Sequence, residues 1–370
     1  MSCQPAITTI SLGLSERYGI HQKLSTCARH GFKAIELFYD DLEALARSQS
    51  RSAQPTREEL LSAARQIREI CDSLKIRILN LQPLRFYEGL VDRREGDRIA
   101  YEVIPLWMDI LHILGGDTIL IASNFIPPDP TTGDSKLVAD PETIADDLRL
   151  LATLGAARSP PVKFAYEALA WGTYINTWEA SWDMVLRVDM PNFGLAIDTF
   201  NIAGAVYADP GAVGGRNGPQ AEANLRQSLN RLATTVNPEK IFVVQMADGE
   251  QLTEVLEPGH PFYVPGQPSR MSWSRNARLF LCEEGRGGYL PVLEVLRTVV
   301  KMGWSGWMAY EIFSRTLAGP DHDLPETHAE RASRSWAKVA AHLGFPAGDK
   351  QLVDELPTET VNRAMGKNEE

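Results

Sequence analysis

Two segments decide the fold: VKFAYE at residues 162–167 and FGLAID at residues 193–198. Each is a short apolar run that ends abruptly in a carboxylate. Between them, residues 177–188 carry large apolar side chains at helical spacing, so the order strand, helix, strand predicts a parallel βαβ unit. The crossover is right-handed in nearly all such units, so both strands run the same way and Glu167 and Asp198 emerge at one edge. Ligands bind at that edge of parallel sheets.

The same alternation of β-rich and amphipathic helical segments occurs eight times, which predicts a (β/α)8 TIM barrel. The predicted strands are residues 6–11, 34–38, 76–81, 118–122, 162–166, 193–197, 240–246 and 306–312. The predicted helices are residues 22–30, 57–74, 96–114, 141–156, 177–188, 219–236, 289–302 and 327–343. No break in composition marks a second domain. We therefore expect one barrel over residues 1–345, with a long irregular loop insertion at 247–288, and a polar C-terminal tail at 346–370.

Composition and charge restrict the classes of function. Hydrophobic residues make up 44% of the 370 residues and charged residues 23%, which is typical of a soluble globular protein. With a formal net charge of −11 and no cluster of Lys and Arg, we expect neither a nucleic acid nor a membrane as partner. The chain begins without a secretory signal and has no long apolar run, so we expect a cytoplasmic protein. The sequence does not decide between a monomer and a homo-oligomer.

Oxygen-bearing side chains follow the apolar part of four predicted strands. They are Glu167, Asp198, Gln245 and Glu311. Catalytic residues of a TIM barrel lie at the carboxyl ends of its strands, and an uncompensated carboxylate is strongly disfavoured there on desolvation. A divalent cation held by these four residues would compensate the charge, and an all-oxygen set suits Mg²⁺ or Mn²⁺. The alternative is that the acids pair with Arg or Lys from the loops or cap helices.

Two further groups of side chains bear on the chemistry of the same edge. Glu36 ends the second predicted strand, where it either lines the pocket or holds the adjoining loop by hydrogen bonds. The seven histidines fall in predicted helices or loops, which argues against a histidine-based zinc centre.

Cationic side chains near the strand ends indicate an anionic small molecule as substrate. Arg85 follows the third strand, and Ser274, Arg275 and Arg278 lie in the insertion after the seventh. A guanidinium group binds a carboxylate through two parallel hydrogen bonds. The alternative is that each Arg neutralises the acids of the barrel.

Six short motifs carry a resemblance to a known family. The chain resembles the 3-dehydroshikimate dehydratases of quinate and shikimate catabolism, in particular the fungal single-domain form, within the xylose-isomerase-like barrel superfamily. The motifs are IELF at 35–38, LQPLRF at 81–86, YEALAWG at 166–172, DTFN at 198–201, QMAD at 245–248 and YEIF at 310–313. The resemblance implies that 3-dehydroshikimate loses water to give protocatechuate.

The resemblance also assigns expected roles to individual residues. It implies that Glu167, Asp198, Gln245 and Glu311 bind the catalytic metal. It further implies that Arg85, Ser274 and Arg278 lie near the substrate.

This chain departs from the family pattern at two positions where bacterial relatives often have histidine. Those positions hold Tyr174 and Asn201. Tyr174 is then the candidate for proton exchange, whereas Asn201 can only form hydrogen bonds. Two other functions stay open, a ketose epimerase or isomerase on the same metal scaffold and a catalytically silent barrel that binds a metabolite.

Overall fold

The structure is a computed structural model that describes residues 3–50, 54–319 and 321–345. Eight parallel strands close into a barrel in the order β1-β10-β7-β6-β5-β4-β3-β2, and two short strands form a separate antiparallel pair. The strands are β1 (Gln4–Thr8), β2 (Ala34–Phe38), β3 (Arg77–Leu84), β4 (Thr118–Ala122), β5 (Lys163–Glu167), β6 (Phe193–Asp198), β7 (Ile241–Met246), β8 (Asp248–Gly249), β9 (Arg278–Leu279) and β10 (Trp307–Tyr310). The predicted TIM barrel is thus confirmed.

Helices occupy most of the segments that flank the strands. They are α1 (Ile20–Arg29), α2 (Tyr39–Gln49), α3 (Arg57–Ser73), α4 (Arg93–Arg98), α5 (Ile104–Leu114), α6 (Pro141–Ala156), α7 (Trp178–Val188), α8 (Thr199–Val206), α9 (Ala221–Thr235), α10 (Ser269–Ala277), α11 (Val292–Lys301) and α12 (Leu324–Leu343). A π-helical turn, Ile99–Val103, joins α4 to α5, so residues 93–114 form one helical segment. No helix of the described ranges is long and apolar enough to cross a membrane.

Local signals explain several helix ends. The predicted capping box at the start of α3 is present, since the Thr56 side chain accepts from the Glu59 amide and the Glu59 carboxylate accepts from the Thr56 amide. Helix α6 begins with Pro141 after Asp140, whose carboxylate accepts from the Thr143 amide. Such caps satisfy backbone N–H groups that have no partner inside the helix.

Two helices outside the predicted insertion at 247–288 were not predicted. Helix α2 follows β2 directly, and α8 follows β6 directly. The α8 sequence TFNIAGAV is apolar nearly all round and is buried from Thr199 to Gly204, so it has no amphipathic pattern to identify it. Its first turn instead depends on Asp198, whose side chain accepts from the Phe200 amide at 2.7 Å. One strand-end acid therefore also starts a helix.

The predicted irregular insertion at 247–288 contains regular structure. Helix α10 lies within it, and β8 pairs with β9 in a short antiparallel sheet. Trp273 is fully buried there, and its ring lies 4.6 Å from the ring of Phe200 in α8. The Arg278 amide donates to the Phe313 carbonyl at 3.0 Å, which joins the insertion to the segment after β10. The division into one barrel and a tail stays a prediction, because residues 346–370 lie outside the described ranges.

Candidate active site

The period of two in the strands sets a layer of polar side chains inside the barrel. Besides β1, whose Ala6 and Thr8 follow the same pattern, five strands have a small or branched apolar residue of the barrel interior followed two positions later by a polar one, which therefore points to the same side. The pairs are Ala34 and Glu36, Ala165 and Glu167, Ala196 and Asp198, Val243 and Gln245, and Ala309 and Glu311. The apolar members fill one interior layer, and the polar members form the layer nearer the carboxyl ends of the strands.

Three of these carboxylates form a compact buried group. One carboxylate oxygen each of Glu167, Asp198 and Glu311 lies within 4.8 Å of the others. The three residues are at most 3% exposed. Burial, with the charges of Glu311 and Asp198, raises the pKa of the Glu167 carboxyl well above its ordinary value. Burial likewise raises the pKa of Glu311 to about 7, although the neighbouring guanidinium of Arg278 opposes the rise. The group is therefore short of positive charge.

Asn201 links two of the acids. It is buried in the first turn of α8, and its Nδ2 donates to Glu167 Oε1 and to Asp198 Oδ2, both at 2.8 Å. Its Oδ1 accepts from the Ala170 amide at 3.0 Å. These contacts hold the two carboxylates together, and an amide cannot carry a proton in a reaction. The expected catalytic role of Asn201 stays a prediction, and its contacts are those of a residue that positions the acids.

Arg278 neutralises part of the acidic group. Its Nη1 lies 2.9 Å from Asp198 Oδ2 and 3.0 Å from Glu311 Oε2, and the side chain is 1% exposed. Its Nε donates to the Ser274 hydroxyl, and its guanidinium lies 4.5 Å from the Phe200 ring centroid. For Arg278 the structure thus matches the alternative in which an arginine balances the barrel acids. Its expected contact with substrate stays a prediction.

Gln245 and Glu36 lie beside the three acids. Gln245 Nε2 donates to Glu36 Oε2 at 2.7 Å and to Glu311 Oε1 at 3.3 Å, and Gln245 is fully buried. In the described part of the chain, Gln245 Oε1 has no hydrogen-bond partner. Burial raises the pKa of Glu36, and its hydrogen-bond donors oppose that rise. Glu36 is not among the residues that line the cavity above the acids.

The donor set fits a hard divalent cation. Glu167, Asp198 and Glu311 supply closely spaced carboxylate oxygens, and Gln245 supplies a buried amide oxygen that no described residue contacts by a hydrogen bond. A buried polar atom left without a hydrogen bond is costly and calls for an explanation such as a bound ion. Oxygen ligands of this kind are those that Mg²⁺ and Mn²⁺ prefer.

A cavity of about 260 Å³ opens above the acidic group. Glu167 and Glu311 line it, and so do Arg85, Arg275 and Arg278. The other described lining residues are Pro83, Phe86, Ala122, Phe125, Leu169, Trp171, Ser274 and Phe313. Burial and the nearby charge of Arg85 lower the pKa of Arg275. The cavity therefore has carboxylates, positive charge and aromatic walls in one space.

Tyr174 is not among the residues that line this cavity. Its hydroxyl lies 3.4 Å from the Leu137 carbonyl oxygen and 3.4 Å from the Ser135 hydroxyl, and 38% of the residue is exposed. The Thr173 amide donates to the Asn124 carbonyl, which directs this loop toward the segment after β4. The structure therefore does not bring Tyr174 to the acids, contrary to the position expected from the family pattern.

Three side chains of the polar layer were not expected from the sequence. The hydroxyl of Thr8 and the amides of Asn80 and Gln82 all donate to the Glu36 carboxylate, at 2.8 to 2.9 Å. Thr8 follows the interior residue Ala6 by two positions, so the period that marks the acids could have identified it. Asn80 and Gln82 lie on β3, where a shift in register interrupts the pairing with β4.

Comparison with known proteins identifies the family. Residues 24–339 match the family model of the xylose isomerase-like TIM barrel. The 3-dehydroshikimate dehydratase of Neurospora crassa is 41% identical over 352 residues, which are 94% of this chain and 96% of that protein. The 3-dehydroshikimate dehydratase of Pseudomonas aeruginosa is 31% identical over 312 residues, which are 84% of this chain and 38% of that protein.

A solved structure shows the same architecture. It is a xylose isomerase-like TIM barrel/4-hydroxyphenylpyruvate dioxygenase fusion protein, 25% identical, with a TM-score of 0.67 over 93% of this chain and 43% of that chain. The closed barrel of eight parallel strands agrees with both the family model and this structural match. The chain therefore belongs to the xylose isomerase-like TIM barrel family.

Proposed function

We infer that this chain is a 3-dehydroshikimate dehydratase, a hydro-lyase that removes water from 3-dehydroshikimate to give protocatechuate. The observation that carries this conclusion is the 41% identity, over nearly the full length of both chains, to the Neurospora crassa enzyme of that name. The site agrees with it, because the cavity combines carboxylates with cationic side chains suited to a small anionic substrate.

The second part of the proposal concerns the cofactor. We propose that Glu167, Asp198, Gln245 and Glu311 hold a divalent cation, Mg²⁺ or Mn²⁺. Its support is the spacing of the three carboxylates and the amide oxygen of Gln245 that has no other partner in the described residues. Such a cation supplies Lewis-acid polarisation of a ketone oxygen, which favours loss of a proton from the neighbouring carbon. Asn201 and Arg278 keep the acids in place for it.

The cationic side chains orient the substrate. We propose that Arg85 and Ser274 bind the substrate carboxylate, with Arg275 beside them, while Arg278 spans the acids and the cavity. A carboxylate held at the arginines directs the ketone end of a small ring toward the acids. The lining aromatic residues, such as Trp171 and Phe313, then contact the faces of the ring and exclude water.

The proton-transfer step has its candidates in the same cavity. Among the described lining residues, the carboxylates are Glu167 and Glu311. Burial raises the pKa of both in the metal-free protein, whereas a bound cation would lower it, so either would act as a base through an oxygen that faces the cavity. Tyr174 and Glu36 are not among the described lining residues; proton exchange by Tyr174 and a catalytic place for Glu36 in the pocket stay predictions.

One assay tests the function and the cofactor together. Purified protein is incubated with 3-dehydroshikimate in EDTA, Mg²⁺ or Mn²⁺, and ultraviolet absorbance follows formation of the aromatic acid. We expect product with at least one metal and none in EDTA. Binding of 3-dehydroshikimate without an aromatic product under any condition would overturn the dehydratase and favour a silent metabolite-binding barrel. A ketose epimerase would be favoured if no aromatic product forms and a separate incubation with a ketose shows Mn²⁺-dependent exchange at a sugar carbon.

A further inference from the structure

We propose that Glu36 is a positioning residue that fixes the amide orientation of Gln245. By accepting the hydrogen bond from Gln245 Nε2, Glu36 leaves the amide oxygen free to bind the cation. This inference rests on the metal centre of the proposed function, and it assigns to Glu36 a role through Gln245 in place of direct contact with substrate.

The geometry of Gln245 indicates that its amide nitrogen faces carboxylates and its amide oxygen is left to bind the cation. Its Nε2 lies 2.7 Å from Glu36 Oε2 and 3.3 Å from Glu311 Oε1, so both amide protons have a carboxylate acceptor. Its Oε1 is buried and has no partner in the described ranges. In the register of β6 and β7, Gln245 is the direct neighbour of Asp198. The amide oxygens of Asn80 and Gln82 also lack a partner in the described residues, but the position next to Asp198 is that of Gln245, whose oxygen a cation held by the acids would satisfy.

The surroundings of Glu36 indicate that its carboxylate acts only as a hydrogen-bond acceptor. Besides Gln245, the Thr8 hydroxyl and the amide nitrogens of Asn80 and Gln82 donate to its two oxygens, at 2.9, 2.8 and 2.8 Å. Oε2 accepts from Thr8, Gln82 and Gln245, and Oε1 accepts from Asn80, so each of the four groups finds Glu36 an acceptor. Glu36 is 1% exposed, so water does not compete for these positions. The carboxylate acts as an acceptor, and an acceptor selects the NH2 side of an amide.

The opposite orientation of Gln245 has two disadvantages. Its oxygen would face the carboxylates of Glu36 and Glu311 at hydrogen-bond distance, where like partial charges repel. Its NH2 group would face the cation, which it cannot bind. The side chain of Gln245 has two nearly isosteric orientations, so a neighbour must choose between them. Groups behind a ligand commonly orient it in this way, and their loss weakens metal binding about 10- to 100-fold.

Calorimetric titration of the full chain with Mn²⁺ tests the proposal. Glu36→Gln is isosteric and offers the Gln245 amide an oxygen or a nitrogen equally well, so we expect the Mn²⁺ dissociation constant to rise about 10- to 100-fold. Thr8→Val is the matched control, because it removes one other donor to Glu36 without touching Gln245. We expect its Mn²⁺ dissociation constant to change less than about threefold, which corresponds to about 0.6 kcal/mol of binding free energy.

A swap variant separates positioning from structural support. Glu36→Gln combined with Gln245→Glu restores an NH2-to-carboxylate hydrogen bond and presents a carboxylate oxygen to the cation. Since both oxygens of a carboxylate are equivalent, orientation no longer matters, and we expect binding within about tenfold of the unmodified protein. A merely structural role would lower the free energy of unfolding of Glu36→Gln but leave its Mn²⁺ dissociation constant unchanged.

Each outcome decides the proposal. Near-native Mn²⁺ affinity in folded Glu36→Gln, or a swap variant no better than Glu36→Gln, would overturn it. If Glu36→Gln does not fold, the swap variant decides alone: Mn²⁺ binding within about tenfold supports the proposal, and absence of binding overturns it. If the unmodified protein itself binds no divalent metal, the metal centre fails and this inference with it. That result is distinct from failure of Glu36 alone.

Discussion

Removal of the Arg278 charge should destabilise the metal-free protein more than removal of any neighbouring charge. Arg278→Met keeps an unbranched apolar chain of similar length but deletes two buried ion pairs, at 2.9 Å to Asp198 and 3.0 Å to Glu311. It also deletes the hydrogen bond to Ser274. With 1% of the arginine exposed, solvent does not screen these interactions.

The expected magnitude follows from burial of the partners. Loss of one partner of a buried ion pair costs about 3–5 kcal/mol, because the remaining charges stay desolvated without compensation. The carboxylates can escape part of this cost by taking up protons. Arg278 lowers the pKa of both Glu311 and Glu167, so its removal raises those pKa values further. The loss should therefore be about 3–5 kcal/mol at pH 8 and smaller at pH 5.5.

Urea unfolding in EDTA measures this loss, with fluorescence and circular dichroism as two probes of the same transition. Arg275→Met is the control: Arg275 lies on the same segment, is exposed, and donates to the neutral side chain of Gln267. We expect the control to lose less than about 1 kcal/mol. Equal losses in both variants, or a loss for Arg278→Met that does not depend on pH, would refute the account of Arg278 as counter-charge of the acids.

Three further predictions concern other parts of the site and its surroundings. Glu88 is buried and accepts a hydrogen bond from the Tyr166 hydroxyl. Because burial raises the pKa of Glu88 to about 7, its protonated form contributes to stability below pH 4.5, and this contribution is lost as the pH rises toward 7. Glu88→Gln should remove up to about 3 kcal/mol of the decline in unfolding free energy between pH 5 and pH 8, measured by urea unfolding at each pH. Glu311→Gln should abolish metal-dependent formation of the aromatic product, and full activity in the assay would remove Glu311 from the ligand set. Arg85→Ala should lower kcat/KM about 10- to 100-fold, chiefly by raising KM, because the variant loses a charge-assisted hydrogen bond to the substrate carboxylate. An unchanged KM in steady-state kinetics would exclude Arg85 as a ligand of that carboxylate.

Much of the barrel could be predicted from local pattern. The bounds of β2, β4 and α6 agree with the predicted residues 34–38, 118–122 and 141–156. These elements have clear local signals, namely short runs of apolar residues and a capped, amphipathic helix. The first strand ends at Thr8, not at residue 11, because residues 9–12 form a 3₁₀ turn instead. The end of an apolar run does not mark that change of backbone conformation.

The candidate site was predictable to the extent that it follows strand ends. Glu167, Asp198, Gln245 and Glu311 were all expected at one edge, and the structure brings the three acids within 4.8 Å of one another. Gln245 lies beside them through its contact with Glu311. Parallel strands with side chains of period two require this convergence, whatever the loops do.

The sequence by itself determined the barrel and the polar layer within it, since both depend on patterns repeated over a few residues. Only the tertiary structure decided which groups compensate that layer. Arg278 meets Asp198 across 80 residues because the insertion folds back over the mouth of the barrel. Tyr174 lies away from the acids because its loop pairs with another loop. Such contacts depend on how distant segments pack, and no local pattern in the chain encodes them.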